Sequence, residues 1–165
     1  MSDVKCARLL LEASSRDVEA LGGMADATVF ADEIFGFDVQ QAAEKLLKAW
    51  LALLGDTYPL THDLGLPFDL LKNRGADVSG FSALTEYTPY AVQFRYEAIG
   101  LDAAPIKRQE SLAWWTLCWH GFNGNSEAWK GVSRSWGSRH GCVIHSLDVL
   151  PVDGDGGGRA AIFRQ

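Results

Sequence analysis

The feature that most constrains this chain is a single apolar stripe. Phe35, Val39, Ala42, Leu46, Trp50 and Leu53 recur at steps of three and four between about Ala31 and Leu54. That is the period of an α-helix with one face turned to a core. Gly55 is placed to close this helix,. Gly36 lies inside it, at a cost of about 1 kcal/mol relative to Ala, and leaves a kink or a later start open,. The segment before it, "VKCARLLLEASSRDVEAL", sets Val4, Ala7, Leu10 or Leu11, Ser14, Val18 and Leu21 on one side and ends at Gly22-Gly23. "PFDLLKNRG" reads as a short helix with Pro67 in its first turn, Thr61 as a possible N-cap and Gly75 at its end,. Phe81, Leu84, Tyr87 or Thr88, Ala91, Val92 and Tyr96 form a further helical stripe, which Pro89 kinks or restarts,. A last helix is predicted from near Ala104-Pro105 through "IKRQESLAWW". No segment before residue 140 alternates with period two,. The fold class is therefore all-α: an up-down antiparallel helical bundle of four to five helices with an irregular C-terminal tail.

At 165 residues and 47% hydrophobic content, the chain has material for one packed domain, placed at residues 1–120, with 121–165 as the tail,. A net charge of −6 excludes a general basic footprint for nucleic acid but leaves room for a local basic site,. Cys6, Cys118 and Cys142 are odd in number and form no CxxC pair, so neither a disulfide framework nor a zinc site is expected and the cytoplasm is the default location,. The N-terminal segment does not read as a signal peptide, and no apolar run is long enough for a membrane span,.

Beside the core stripe of the second helix, Asp38, Gln41, Lys45 and Lys48 fall at steps of three, four and three,. Glu44 and Lys48 make a favourable i,i+4 pair worth a few tenths of a kcal/mol, about 0.2–0.5,. Periodicity alone allows two readings: a solvated face laced with ion pairs, or a binding face. His62-Asp63 offers a reactive pair or a turn cap, and capping is expected because adjacent side chains on a helix do not face each other,.

Three blocks, "FGFDVQQAAEKLLKAWLALLG", "YPLTHDL" and "LTEYTPYAVQFRYE", occur in an order and spacing that resemble the HEPN family, the higher eukaryote and prokaryote nucleotide-binding domain. The likeness covers about residues 5–114. It implies a helical bundle, often a homodimer. Many family members are metal-independent ribonuclease toxins marked by an Arg followed four to six residues later by His: His moves the ribose 2′-hydroxyl proton and Arg holds the phosphate. No such pair lies in the matched blocks. Arg95 is followed by "YEAIGL" and Arg74 by "GADVSG", while the string "RSWGSRH" from Arg134 to His140 follows no helix of the family type. The family's histidine in the first block is Asp38 here. The chain thus resembles the non-nuclease branch, whose members are commonly encoded beside a small nucleotidyltransferase.

The resemblance implies a nucleotide- or phosphate-binding set drawn from the matched blocks: Asp38, Gln41, Lys45, Lys48, Tyr87, Tyr90, Arg95 and Tyr96. Lysines meet phosphate as point charges, arginine as a fork, and tyrosines offer stacking faces, although core positions with hydroxyls at the rim also suit these tyrosines. No catalytic residue, metal or cofactor is assigned. The function expected is a binding module acting with a nucleotidyltransferase, in a toxin–antitoxin or defence-type pair. The alternatives are a ribonuclease with an atypical site around Arg95 and a dimerising bundle without ligand.

The tail differs in kind. Residues 1–112 carry 10 Lys/Arg against 17 Asp/Glu, and residues 113–165 carry 5 against 4. Five of the six Trp lie between Trp114 and Trp136, and nine of the 17 Gly follow position 120. Restoring one base after the Trp114 codon yields an amphipathic continuation of the last helix. The expectation is a single-base deletion near codon 115 that puts residues 115–165 out of frame, with a poorly packed or disordered tail after about residue 120; a genuine appendage of two short strands about "DGDGGG" is the alternative.

Overall fold

In the computed structural model, residues 3–95 and 104–115 are described. The first helix, α1 (Val4–Gly23), and the second, α2 (Asp32–Leu53), form the central antiparallel pair. Asp3 caps α1, its Oδ1 accepting from the Cys6 amide at 2.9 Å,. The Asp3 amide donates to the Ala52 carbonyl at 3.0 Å, joining the start of α1 to the end of α2. Midway, the Ser14 hydroxyl donates to the Ala42 carbonyl at 2.5 Å. All six residues of the α2 stripe are buried, as the period requires. The helix runs through Gly36, whose missing side chain makes room for the Tyr90 ring: a Cβ there would overlap the ring,. α1 likewise continues through both glycines and stops at Met24.

Gly55 and Gly75 end α2 and α3 (Gly65–Asn73) in the same way. Each has positive φ, 79° and 77°. Each donates its amide three residues back, to Ala52 and Lys72, while the following residue reaches the carbonyl of Leu51 or Leu71. This is the Schellman closure, which needs a left-handed residue. Thr61 does not cap α3; its hydroxyl accepts from the Asp63 amide at 3.0 Å and builds the preceding turn, and the helix begins after Leu64.

The "SGFSALTEYTPYA" segment departs from expectation. Ser79–Ala91 is a continuous 3-10 helix that carries Pro89 within it, and a short 3-10 turn, Gln93–Arg95, follows. The sequence supplies a reason. Val78, Phe81, Leu84, Tyr87 and Tyr90 recur every third residue, and a helix of 3.0 residues per turn aligns them in one straight stripe,. The first four are buried and Tyr90 is half-buried. Phe81 meets Trp50 of α2 edge-to-face at 6.4 Å,.

The closing helix begins later than expected. Residues 104–107 are non-helical and 108–115 are helical. The start is held by Asp32, whose Oδ2 accepts from the Ile106 amide at 3.0 Å and whose Oδ1 accepts from Arg108 at 2.6 Å. The buried Arg108 guanidinium also donates to the carbonyls of Met24 and Phe30, at 2.5 and 2.6 Å, and lies 4.7 Å from the Phe35 ring centroid. The Tyr87 and Ser111 hydroxyls pair at 2.7 Å, and Tyr87 meets Trp114 edge-to-face. Among the described residues there is no strand, and no helix is long and apolar enough to cross a membrane. The fold is an all-α bundle. The tail beyond residue 115, which holds Cys118 and Cys142 and on which both readings of the tail bear, lies outside the described residues.

Candidate functional site

Gln40, Glu44 and Lys48 stand one helical turn apart on α2 and share a face,. All three are buried, at 0%, 8% and 9% exposure. Burying such groups is costly unless every polar atom finds a partner. The turn at Thr61-His62 supplies the partners. Glu44 sits at the centre: Lys48 Nζ donates to Oε1 at 2.7 Å, Gln40 Nε2 to Oε2 at 2.8 Å, and His62 Nδ1 lies 3.0 Å from Oε2. Gln40 Nε2 also donates to the His62 carbonyl at 2.9 Å, and Lys48 Nζ to the Thr61 carbonyl at 3.2 Å. The turn is fixed from its other side too. Asp63 Oδ1 accepts from the Gly65 amide at 2.9 Å, and Thr88 Oγ1 from the Leu64 amide at 3.2 Å. The turn cap is thus Asp63, while its neighbour His62 pairs with Glu44, 18 residues earlier.

Burial pushes the Glu44 carboxyl toward neutrality, but hydrogen bonds from Lys48, Gln40 and His62, with the Lys48 charge, outweigh it and hold its pKa below the ordinary value,. An ionised carboxylate only accepts, so the proton of the 3.0 Å contact belongs to His62 Nδ1,. The buried Glu44 thereby fixes one tautomer of an imidazole whose side chain is 57% exposed,.

A second cluster occupies the side of α2 that meets α1. Lys45 Nζ lies 2.5 Å from Asp17 Oδ2, with both side chains partly exposed, at 27% and 22%. Asp38 shares this neighbourhood. Burial raises its pKa, Asp17 raises it further, and Lys45 opposes both. Gln41 links the clusters by donating to Gln40 Oε1 at 2.7 Å.

The expected binding set is therefore distributed. Asp38 and Lys45 face α1, Lys48 is buried on the opposite network, and Gln41 stands between them. Tyr87 is a core residue bonded to Ser111; Tyr90 is half-buried on Gly36, 5.5 Å from Tyr87 and 4.9 Å from Phe94 between ring centroids. The Arg95 backbone closes the second 3-10 turn, while its side chain and Tyr96 lie outside the described residues. Gln40, Glu44 and His62 were not in the expected set. The i,i+4 ladder from Gln40 through Glu44 to Lys48 was legible as a pattern; its burial beneath a turn distant in sequence was not.

A family model of the HEPN domain matches residues 7–110. No curated protein and no solved structure matches the chain. The matched span takes in both faces of α2, the Thr61-His62 turn, the 3-10 segment and the Arg108 anchor. A match over that much of the sequence, on a bundle built as described, makes the chain a member of the HEPN domain family.

Proposed function

We propose that this chain is a HEPN module that binds nucleotide or nucleic-acid phosphate and acts, as a homodimer, with a partner nucleotidyltransferase in a toxin–antitoxin or defence-type pair. HEPN membership points to a nucleotide- or RNA-related function. The observation that carries the non-nuclease form is that residues 7–110 hold no Arg followed four to six residues later by His. The candidate face is Asp38, Gln41 and Lys45 of α2, with Arg95 and Tyr96 from the sequence pattern; Lys48 is buried beside it, while Tyr90, on Gly36, and Tyr87, bonded to Ser111, lie apart from it. Lys45 is the α2 cation that a phosphate reaches, in exchange for Asp17, because Lys48 is held by Glu44 and the Thr61 carbonyl. That exchange implies modest affinity and marked salt dependence.

Fluorescence anisotropy with a labelled oligoribonucleotide tests this, using the purified chain alone and with its nucleotidyltransferase. Saturable binding that weakens about tenfold in Lys45→Glu and Arg95→Ala is expected, about 1.4 kcal/mol. No binding by either preparation would overturn the reading and leave a dimerising bundle. Strand scission in the same samples, lost in Arg95→Ala, would replace it with a ribonuclease.

A further inference from the structure

We infer that His62 accepts a hydrogen bond from the ribose 2′-hydroxyl of the bound nucleotide or RNA, and so gives the site a preference for ribose over deoxyribose. The inference rests on the nucleotide-binding reading above and names a contact within it.

The geometry points to an acceptor. Glu44 accepts the hydrogen bond from Nδ1–H across 3.0 Å, so the ring in its neutral form carries its lone pair on Nε2,. No described residue bonds Nε2, and the side chain is 57% exposed. The ring's position does not depend on a ligand. Two buried side chains of α2, Gln40 and Lys48, pin the His62 and Thr61 carbonyls, and the same two side chains hold Glu44. A group so supported before binding loses little entropy on contact. Gln41, in the candidate binding face, bonds Gln40 at 2.7 Å and joins that face to this network.

The lone pair decides what the acceptor meets. A fully ionised phosphate only accepts and offers Nε2 no proton, whereas a neutral O–H group donates to it. The ribose 2′-hydroxyl is such a donor, and it is the group that separates RNA from DNA. An exocyclic base amine is the competing donor. His62 remains largely in solvent, so the discrimination is that of one solvent-exposed hydrogen bond: about 3- to 10-fold in affinity, far below that of a sealed site,.

The test compares a short oligoriboadenylate, its deoxy counterpart and an oligoribouridylate, whose base lacks an exocyclic amine. Binding is measured for the native chain, His62→Phe and Glu44→Gln, with thermal melts confirming that each variant folds. His62→Phe keeps a flat ring and the backbone carbonyl but removes the acceptor. The native chain should bind both ribo-oligomers more tightly than the deoxy strand by about 3- to 10-fold, with that ratio falling to about one in His62→Phe while deoxy affinity stays unchanged. Glu44→Gln should lower the ratio as well, since the neutral amide no longer fixes the tautomer, a change that a merely structural role would not produce. Equal binding of ribo and deoxy strands, a preference that survives in His62→Phe, or one that tracks the base amine would overturn the inference and leave the binding reading standing. Binding of none of the three would overturn both.

Discussion

The two sides of α2 bear similar chemistry and differ in what covers them. Toward α1, Lys45 and Asp17 pair at 2.5 Å beside Asp38, all partly open to solvent. Toward the Thr61-His62 turn, Lys48 and Glu44 pair at 2.7 Å with side chains only 11% and 10% exposed, and two backbone carbonyls complete the shell. The lysines are three residues apart, and in sequence they look interchangeable. The difference teaches that a helical charge pattern reports position on the helix, while the covering element decides whether the charge is surface or structure. One network is open to solvent; the other is a fixture that holds a loop and an imidazole.

The comparison breaks most directly at the carboxylates. Glu44→Ala leaves Lys48 buried, with the Thr61 carbonyl as its remaining hydrogen-bond acceptor among the described residues. Removing one member of a buried pair costs about 3–5 kcal/mol, and the remaining carbonyl bond places the loss at about 3 kcal/mol. Asp17→Ala removes the partner of a partly exposed lysine and should cost about 1 kcal/mol or less,. Urea denaturation of both variants checks this; equal losses would erase the distinction between the two sides.

Acid should act through the same contrast. The folded Glu44 carboxyl sits below its ordinary value, so its contribution is complete above the unfolded pKa and disappears as pH falls through the folded one,. The native chain should lose stability across that acidic window, and Glu44→Gln should lose less of its own stability over the same range. A Glu44→Gln curve as steep as the native curve would show that other carboxylates dominate.

Salt gives a smaller separation. In concentrated NaCl the cost of Lys45→Ala should shrink toward zero, because ions screen an open pair, whereas the cost of Lys48→Met should change little,. Parallel responses in thermal melts would argue that both pairs see the same solvent.

Much of this was legible in the sequence, for physical reasons that particular residues make plain. Phe35, Val39, Ala42, Leu46, Trp50 and Leu53 are buried because a helix with one shared core must obey its period,. Gly55 and Gly75 ended helices because the closure needs positive φ,. The Ser79–Ala91 segment was harder. Its residues fit spacings of three and of three-to-four, and tertiary packing on Trp50 and Gly36 favours the former. The site was half legible. Its motifs singled out α2, yet the decisive contact joins Glu44 to His62 across an intervening loop, and no periodicity encodes which loop folds back over which face. The family match ends at residue 110, before the Trp114 codon, and so bears on neither reading of the tail.

The smallest expected effect belongs to Asp38, and its sign is its value. Burial, then Asp17, raise its carboxyl above the ordinary carboxylate range, and Lys45 only partly offsets them. A raised folded pKa means the native state holds its proton more tightly than the unfolded chain. Between the unfolded and folded values, stability therefore falls as pH rises. At neutral pH the charged Asp38 opposes folding slightly, the reverse of Glu44. Asp38→Asn should accordingly stabilise the chain at neutral pH, with the gain vanishing in acid as the native carboxyl takes up its proton. Melting temperatures of the two proteins across pH decide it. Destabilisation by Asp38→Asn at neutral pH would mean that Asp38 works as a fixed acceptor, and that the α1 side of the helix is held as firmly as the side beneath His62.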